Sequence, residues 1–387
     1  MPKVLRITTA PQAIRGFLID QVNYIQKSGF DIKLVSGQGE EDWVEIKTHT
    51  TVSFYVLDIK RNISLYHDLM CLVQLIRLFR KEKPDIVHTM TPKAGLLGMV
   101  AAFVCRVPIR IHDVVGMVQE AKSGLLFLVL DAMERITYFC AQELIPNSFS
   151  LKEYILSRKM TAASKIKILG KGSSHGINLT RFDKRTLNDS DLEAVKLAIS
   201  YDANCKYITA IGRMVKDKGI NELVEGFGAL QQTHKDLKLV LIGPFEPALD
   251  PLEQETIQRI ETNKDIIHIP FSKQVEYFLS LSTILVHASH REGLPNVLLE
   301  AGAMGCPIVC ARATGNVDVV QHEETGLIFE VKDCTDLVEK VDFALKNPAK
   351  MSIFADNLLA VINQYFSHTV VNNYVLENYK FHLAKQK

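Results

Sequence analysis

The segment Thr283-Ile284-Leu285-Val286-His287-Ala288-Ser289-His290-Arg291-Glu292-Gly293-Leu294-Pro295-Asn296-Val297-Leu298-Leu299-Glu300-Ala301-Gly302-Ala303-Met304-Gly305 is the most informative of the chain. An apolar β-type run leads through a polar turn into a helical pattern, as in one unit of a parallel sheet. Gly293 allows close backbone approach, and Pro295 suits a first helical turn, where its missing donor is not needed. The free amides at such a helix start, with their partial positive charge, suit a phosphate or a carbohydrate hydroxyl. Glu292 lies in the turn and Glu300 on the helix, with seven residues between them. Glu300 falls about 7.5 Å beyond Pro295, at about 1.5 Å per residue. Two carboxylates so spaced can hold different parts of one extended ligand. A helical Glu is usually solvated, but the run Ala301-Gly302-Ala303-Met304-Gly305 is too small and apolar for a solvated face. A Glu buried there needs a partner or a ligand.

The same alternation extends in both directions. Toward the N-terminus, strand-like runs occur at Val4 to Thr9, Asp31 to Ser36, Asp85 to Thr89, Ile109 to His112, Glu143 to Asn147 and Lys165 to Leu169. Helical periodicity fills Phe17 to Lys27, Leu65 to Lys81, Ala94 to Cys105 and Phe149 to Arg158. After the polar Asn188-Asp189-Ser190-Asp191 the pattern restarts, with strands at Tyr207 to Gly212, Leu237 to Gly243, Ile266 to Ile269, Thr283 to His287, Ile308 to Ala311 and Gly326 to Phe329. Two such series predict an α/β protein of two doubly wound parallel-sheet domains, residues 1–187 and 188–365, facing across a cleft. A chain of 387 residues also exceeds what one core usually supports. Ligands bind beyond the carboxyl ends of such strands, which predicts a site in the cleft. Residues 366–387 read as a further helix, expected to pack back on the first domain.

Composition narrows the function classes. With 47% hydrophobic and 23% charged residues, the chain is expected to be globular rather than disordered. Seven dispersed cysteines without paired spacing argue against a disulfide framework and a structural metal, and fit a reducing cytoplasm. The most apolar windows, Leu96 to Val104 and Leu125 to Leu130, fall short of the roughly 20 residues of a membrane span. Up to residue 187 there are 26 Lys and Arg against 17 Asp and Glu, a net of +9, while the remainder carries −8. The basic half is either solvated surface or a means of attraction to phosphate or an anionic membrane face. Nucleic acid is not expected as a partner, because no basic and aromatic interleaving accompanies the charge.

Further constellations surround the expected cleft. In Gly212-Arg213-Met214-Val215-Lys216-Asp217-Lys218-Gly219 a strand ends in glycine before a basic loop. The guanidinium of Arg213 and the ammonium of Lys218 suit a diphosphate, whose charge they neutralise without a metal. Pro11-Gln12-Ala13-Ile14-Arg15-Gly16 joins the first strand to its helix, and Gly16 lets the backbone approach a phosphate. His88-Thr89-Met90-Thr91-Pro92-Lys93 and Ile111-His112-Asp113 supply two histidines where parallel strands meet the cleft, as structural or ligand-facing groups. Thr91 and Lys93 precede an apolar helix and suggest a second phosphate site. Gly170-Lys171-Gly172-Ser173-Ser174-His175-Gly176 lacks the third glycine of a dinucleotide fingerprint, and Asp189-Ser190-Asp191 reads as helix capping rather than metal binding.

Taken together, Gly212-Arg213 with Lys218-Gly219, Glu292-Gly293-Leu294-Pro295 with Glu300-Ala301, Gly305-Cys306-Pro307 and Gly326-Leu327-Ile328 resemble the retaining GT-B glycosyltransferases of family 4. Glu292 and Glu300 match that family's EX7E signature. Arg15-Gly16 and Thr91-Pro92-Lys93-Ala94-Gly95 look like the bacterial capsule and glycan-assembly members that extend a lipid-linked sugar. The resemblance implies a GT-B fold and metal-independent transfer of a sugar from a nucleotide donor, with retained configuration and no cofactor. By the same resemblance, Arg213 and Lys218 hold the donor diphosphate, Glu300 the ribose hydroxyls and Glu292 the sugar. Gly293, Leu294, Pro295 and Asn296 line sugar and phosphate, Gly16 and His112 the reaction centre, and the backbone near Phe271 the base. Arg15, His88, Thr91, Lys93 and His112 are the expected acceptor residues. The departing phosphate deprotonates the acceptor, so no protein base need be named. His175-Gly176-Ile177-Asn178 and His112-Asp113 depart from the family's usual Asn-Gly-Val-Asp and His-Gly, which leaves the acceptor wall open.

The expected activity is transfer of a hexose or N-acetylhexosamine from a UDP-sugar to a polyprenyl-diphosphate-linked saccharide, by a cytoplasmic enzyme peripheral to an anionic membrane surface. A GDP-mannose or soluble-acceptor transferase is the alternative within the class. A sugar-nucleotide sensor or scaffold is the alternative outside it, and a nicotinamide dehydrogenase is weakened by the missing fingerprint.

Overall fold

Among residues 1–60, 64–117, 119, 123–246 and 250–386, which the computed structural model describes, the apolar runs form two six-stranded parallel sheets. The first holds β1 (Lys3–Ile7), β2 (Asp31–Ser36), β3 (Ser53–Val56), β4 (Ile86–Met90), β5 (Ile109–Val114) and β6 (Glu143–Pro146), in the order β3-β2-β1-β4-β5-β6. The second holds β7 (Lys206–Ile211), β8 (Leu237–Ile242), β9 (Ile266–Ile269), β10 (Ile284–His287), β11 (Ile308–Ala311) and β12 (Leu327–Phe329), in the order β12-β11-β10-β7-β8-β9. The two orders are the same, and each is that of a Rossmann-type sheet. Direction along the sheet reverses between β1 and β4 in one and between β7 and β10 in the other. Ligands of open α/β sheets bind at the carboxyl ends of strands beside such a reversal.

The chain divides into one unit of Met1–Gly176 with His368–Lys387 and a second of Ile177–Ser367. Residues 177–187 thus belong with the second unit, against the expected division at 187, because Ile177 and Phe182 are buried with Leu285, Leu298 and Ile308 of its core. The helix His368–Ala384 belongs to the first unit, where Val375, Leu376 and Tyr379 are buried with Val4, Ile32 and Ile86.

Two local features differ from the expectation. Lys165 to Leu169 is not a strand: Lys165 ends a 3-10 turn (Ala163–Lys165), and the segment makes one isolated bridge, Ile166 to Leu144. Lys165 instead points its ammonium at the carbonyl oxygens of Tyr138, Phe139 and Ala141, at 2.9, 2.9 and 2.8 Å. Conversely, β3, absent from the strand-like runs read in the sequence, pairs with β2; it is a four-residue edge strand with Ser53 and Val56 exposed and Phe54 and Tyr55 half-buried. Among the described residues, no helix is long and apolar enough to cross a membrane.

Candidate active site

In the second unit glycines bring the chain leaving β7 close to the ends of β8 and β10. A Cβ on Gly243, which has φ of 145°, would stand 1.8 Å from the carbonyl oxygen of Gly212. Gly219, at φ 67°, ends the 3-10 turn Lys216–Lys218 and starts the helix Ile220–Thr233; a Cβ there would stand 2.1 Å from the carbonyl oxygen of Ala288. Only glycine lets the basic turn lie against the chain leaving β10. Side chains then fasten the two loops. Arg291 forks onto Asp217, Nε at 3.0 Å and Nη2 at 2.9 Å, and the amide of His290 donates to the Asp217 carbonyl at 2.9 Å.

This fastening brings Lys218 and Glu292 together. The Lys218 ammonium is ion-paired with Glu292 Oε1, and His287 Nε2 lies 3.1 Å from the same oxygen. Burial by itself would raise the Glu292 carboxyl, but the His287 hydrogen bond and the Lys218 charge outweigh it and hold the group well below the usual carboxylate range. Glu292 is therefore ionised at neutral pH. A cavity lies alongside, lined by Gly212, Lys218, Ile220, Val286, His287 and Ala288 among others. It occupies the carboxyl side of the β7/β10 reversal.

The other expected donor residues surround this cluster unevenly. Arg213, separated from β7 by Gly212, pairs with Glu246 at 2.8 Å and is 42% exposed, which leaves it free to change partners. Pro295 is the N-cap of the helix Asn296–Ala303 rather than a residue of its first turn. Leu294 turns its side chain into the core with Leu298 and Ile308, so only its backbone is available. Phe271 stands exposed beyond β9. Glu300 differs sharply from Glu292: burial pushes its carboxyl up to about 7, with Arg181 opposing and Glu276 reinforcing the shift. Arg181 is committed to Glu276 through two contacts, Nε at 3.0 Å and Nη2 at 2.8 Å.

The first unit places its candidates around the β1/β4 reversal. Arg15 and Gly16 lie in a π-helical turn, Ile14–Leu18. Arg15 pairs with Asp42 at 3.0 Å and Glu45 at 3.2 Å, and a Cβ on Gly16 would meet nothing within 4 Å. Thr91 follows β4 with φ of 77°, unusual for a residue other than glycine and worth about 1–3 kcal/mol of strain. Thr9, after β1, holds it there, with Oγ1 to Oγ1 at 2.7 Å. Lys93 reaches both carboxylate oxygens of Asp68, at 2.8 and 2.9 Å. His112 is packed under Gly95 and bonded through Nδ1 to Thr89 Oγ1 at 2.8 Å. Burial pushes its imidazole down to about 4, so it is neutral at physiological pH.

His88 does not join these groups. It is fully buried, with Nδ1 2.6 Å from Tyr379 Oη and Nε2 2.8 Å from Asp113 Oδ1, and Asp113 is in turn bound by Arg6 at 2.6 Å. This network knits β1, β4 and β5 to the helix His368–Ala384, and His88 is removed from the acceptor residues. Sequence reasoning passed over His287, Arg181 and Glu276. His287 had a visible signal, an imidazole closing an otherwise apolar strand five residues before Glu292; the other two are joined only by tertiary folding.

Comparison with known proteins agrees with this architecture. Residues 199–358 match the family described as glycosyl transferases group 1, and residues 6–143 the family described as glycosyl transferase 4-like. The chain is 33% identical to the capsular polysaccharide biosynthesis glycosyltransferase CapM of Staphylococcus aureus, over 95% of this chain and 94% of that one. It is 25% identical to the UDP-Gal:alpha-D-GlcNAc-diphosphoundecaprenol alpha-1,3-galactosyltransferase of Escherichia coli, over 96% of this chain and 93% of that one. The crystal structure of Anabaena HepE in complex with UDP and glucose superposes with a TM-score of 0.79 at 17% identity, covering 98% of this chain and 100% of that one. The GT-B architecture is shared with such structures.

Proposed function

Since the chain belongs to the group 1 and 4-like glycosyl transferases, we propose that it moves a hexose or N-acetylhexosamine from a UDP-sugar, with retention, to a saccharide carried on a polyprenyl diphosphate. The Lys218–Glu292–His287 cluster at the carboxyl ends of β7 and β10 carries this reading. Lys218 offers a fixed cation to the donor diphosphate, and Arg213 exchanges Glu246 for a phosphate oxygen. Negative charge grows on the diphosphate as it leaves, so fixed cations act most strongly in the transition state. They supply the positive charge, and the proposed reaction needs no metal. Ionised Glu292 accepts hydrogen bonds from the sugar, the backbone of Gly293 to Asn296 lines sugar and phosphate, and Glu300 takes the ribose hydroxyls. The bond from the anomeric carbon to the diphosphate breaks, one to the acceptor oxygen forms on the same face, and the acceptor proton passes to the departing phosphate. Arg15, Thr91 and Lys93 are the acceptor residues that remain, with Gly16 and neutral His112 nearby in the first unit. The undecaprenol-linked acceptor and UDP-Gal donor in the name of the Escherichia coli relative support the substrate class.

Thermal-shift measurement against UDP, GDP, ADP and dTDP tests the donor, since a ligand at 100 times its Kd stabilises by about 2.7 kcal/mol. UDP is expected to raise the melting temperature most. A larger GDP shift overturns the choice of base, and absence of transfer to polyprenyl-diphosphate-linked sugar in the presence of UDP-sugars overturns the acceptor class.

A further inference from the structure

One face of the first unit carries apolar side chains that its core does not use. The helix Gly124–Cys140 exposes Leu125, Leu128, Val129, Ile136 and Phe139 at intervals that keep them on one side. From Leu125 to Phe139 this stripe runs about 21 Å at about 1.5 Å per residue. Leu125 is 76% exposed and Phe139 70%, values without an explanation in the packing of an isolated chain. The helix Pro92–Val104 packs between this helix and Leu65–Glu82 and continues the surface. Phe103 is exposed 5.7 Å from the Phe139 ring, and Leu65, Tyr66 and Leu69 are exposed on the third helix. Twelve large apolar side chains on three adjacent helices exceed the scattered exposure usual for a protein surface.

Among the described residues, the exposed charges left without an ion pair on these helices and the turns that end them are cations. Arg80, Lys81, Arg106 and Lys159 are exposed with no carboxylate partner among the described residues. The carboxylates on the three helices are already committed: Asp68 to Lys93, Glu82 to Lys33, Asp131 to Arg135 and Arg158, while Glu134 is buried. Arg110 and Lys165 lie over the Phe103 and Phe139 rings at 5.6 and 5.9 Å, so cation and apolar surface are interleaved at one end. An apolar face bordered by uncommitted cations complements an anionic bilayer, in which side chains enter the acyl boundary and cations meet phosphates. It does not complement a neutral apolar protein face, which would leave those cations without counter-charge.

We propose that the face formed by Leu65–Glu82, Pro92–Val104 and Gly124–Cys140 is a docking surface for an anionic lipid bilayer, with the helix Gly124–Cys140 lying in the interfacial plane. The inference deepens the lipid-linked acceptor of the proposed function and rests on it for its biological sense, but not for its geometry. The N-termini of all three helices lie at the carboxyl end of the first sheet, where Thr91 and Lys93 stand. A bilayer held against this face brings lipid-anchored diphosphates to those residues.

The test is flotation of the full chain with vesicles of phosphatidylcholine alone or with about one-third phosphatidylglycerol. Wild type is expected to bind only the anionic vesicles, more weakly at high salt. Combined Leu125→Ser, Leu128→Ser and Phe139→Ser is expected to weaken binding at least about tenfold, and combined Arg106→Gln and Lys159→Gln at least about fivefold. Both variants should keep the wild-type thermal shift with UDP, which shows that the fold and the second unit are intact. Equal binding by wild type and the serine variant, or indifference to lipid charge, overturns the proposal. So does a lipid-free dimer that the serine variant abolishes, since the face would then serve self-association. If vesicles bind as expected but no nucleotide shifts the melting temperature, the proposed function fails and the docking surface stands.

Discussion

Replacing Lys218 by Met keeps the aliphatic stem and removes one cation from a carboxylate that has two polar partners. The two side chains are 18% and 15% exposed, so the pair is shielded enough to matter for stability. Stranding a buried charge outright costs about 3–5 kcal/mol, but His287 remains 3.1 Å from Glu292 Oε1, and a loss of about 1–3 kcal/mol is expected. Turnover should suffer more, since one fixed group aimed at developing charge is worth roughly 100- to 1,000-fold. The pH dependence separates the two effects. The Glu292 carboxyl is held low in the folded protein, so its contribution is complete above its unfolded value of about 4.3 and fades as pH falls toward the folded one. Losing Lys218 raises the folded value and shrinks that contribution. The stability deficit of Lys218→Met, read by urea unfolding, should therefore be largest at neutral pH and diminish below about pH 4. Turnover is read as UDP released at saturating donor. Turnover within a few-fold of wild type in a folded variant, or a deficit that does not change with acidity, refutes the assignment.

Glu300→Gln should be more stable than wild type at pH 8 by at most about 3 kcal/mol. The carboxyl titrates at about 7 folded, above its unfolded value, so the native state binds the extra proton between those values and wild type loses stability as pH rises through that window. Urea unfolding of both proteins across pH 5 to pH 8 checks this, and parallel curves count against it. Gly219→Ala places a methyl 2.1 Å from the Ala288 carbonyl oxygen at a φ of 67°. A melting-temperature loss equivalent to at least about 2 kcal/mol is expected, with weakened UDP binding because the chain carrying Glu292 must shift; unchanged affinity by calorimetry contradicts the second part.

The parallel sheets were legible because their strands are buried on both faces and therefore read as continuous apolar runs. β3 escaped because it is short and lies at an edge: of its four residues Ser53 and Val56 are exposed, and Phe54 and Tyr55 are only half-buried. Lys165 to Leu169 imitated a strand by alternation, but the Lys165 ammonium was taken by three carbonyl oxygens. In the site, Lys218 and Glu292 could be placed together because each follows a strand adjoining the reversal. The pairing of Arg213 with Glu246 and the clasp of Arg181 on Glu276 depend on side chains far apart in the chain, and no local pattern announces them. His88 shows the limit most plainly: its place at a strand end suggested a ligand, whereas a tyrosine 291 residues away completes its bonding.

That last bond also bears on how the molecule is made. Tyr379 is synthesised after the entire second unit, yet it satisfies His88 in the sheet that leaves the ribosome first. Until then the buried Arg6–Asp113–His88 set lacks one of its partners, and the apolar cleft that will receive Val375 and Leu376 is bare. The unit translated first is thus completed last, while Ile177–Ser367 can close its own core as soon as it has emerged.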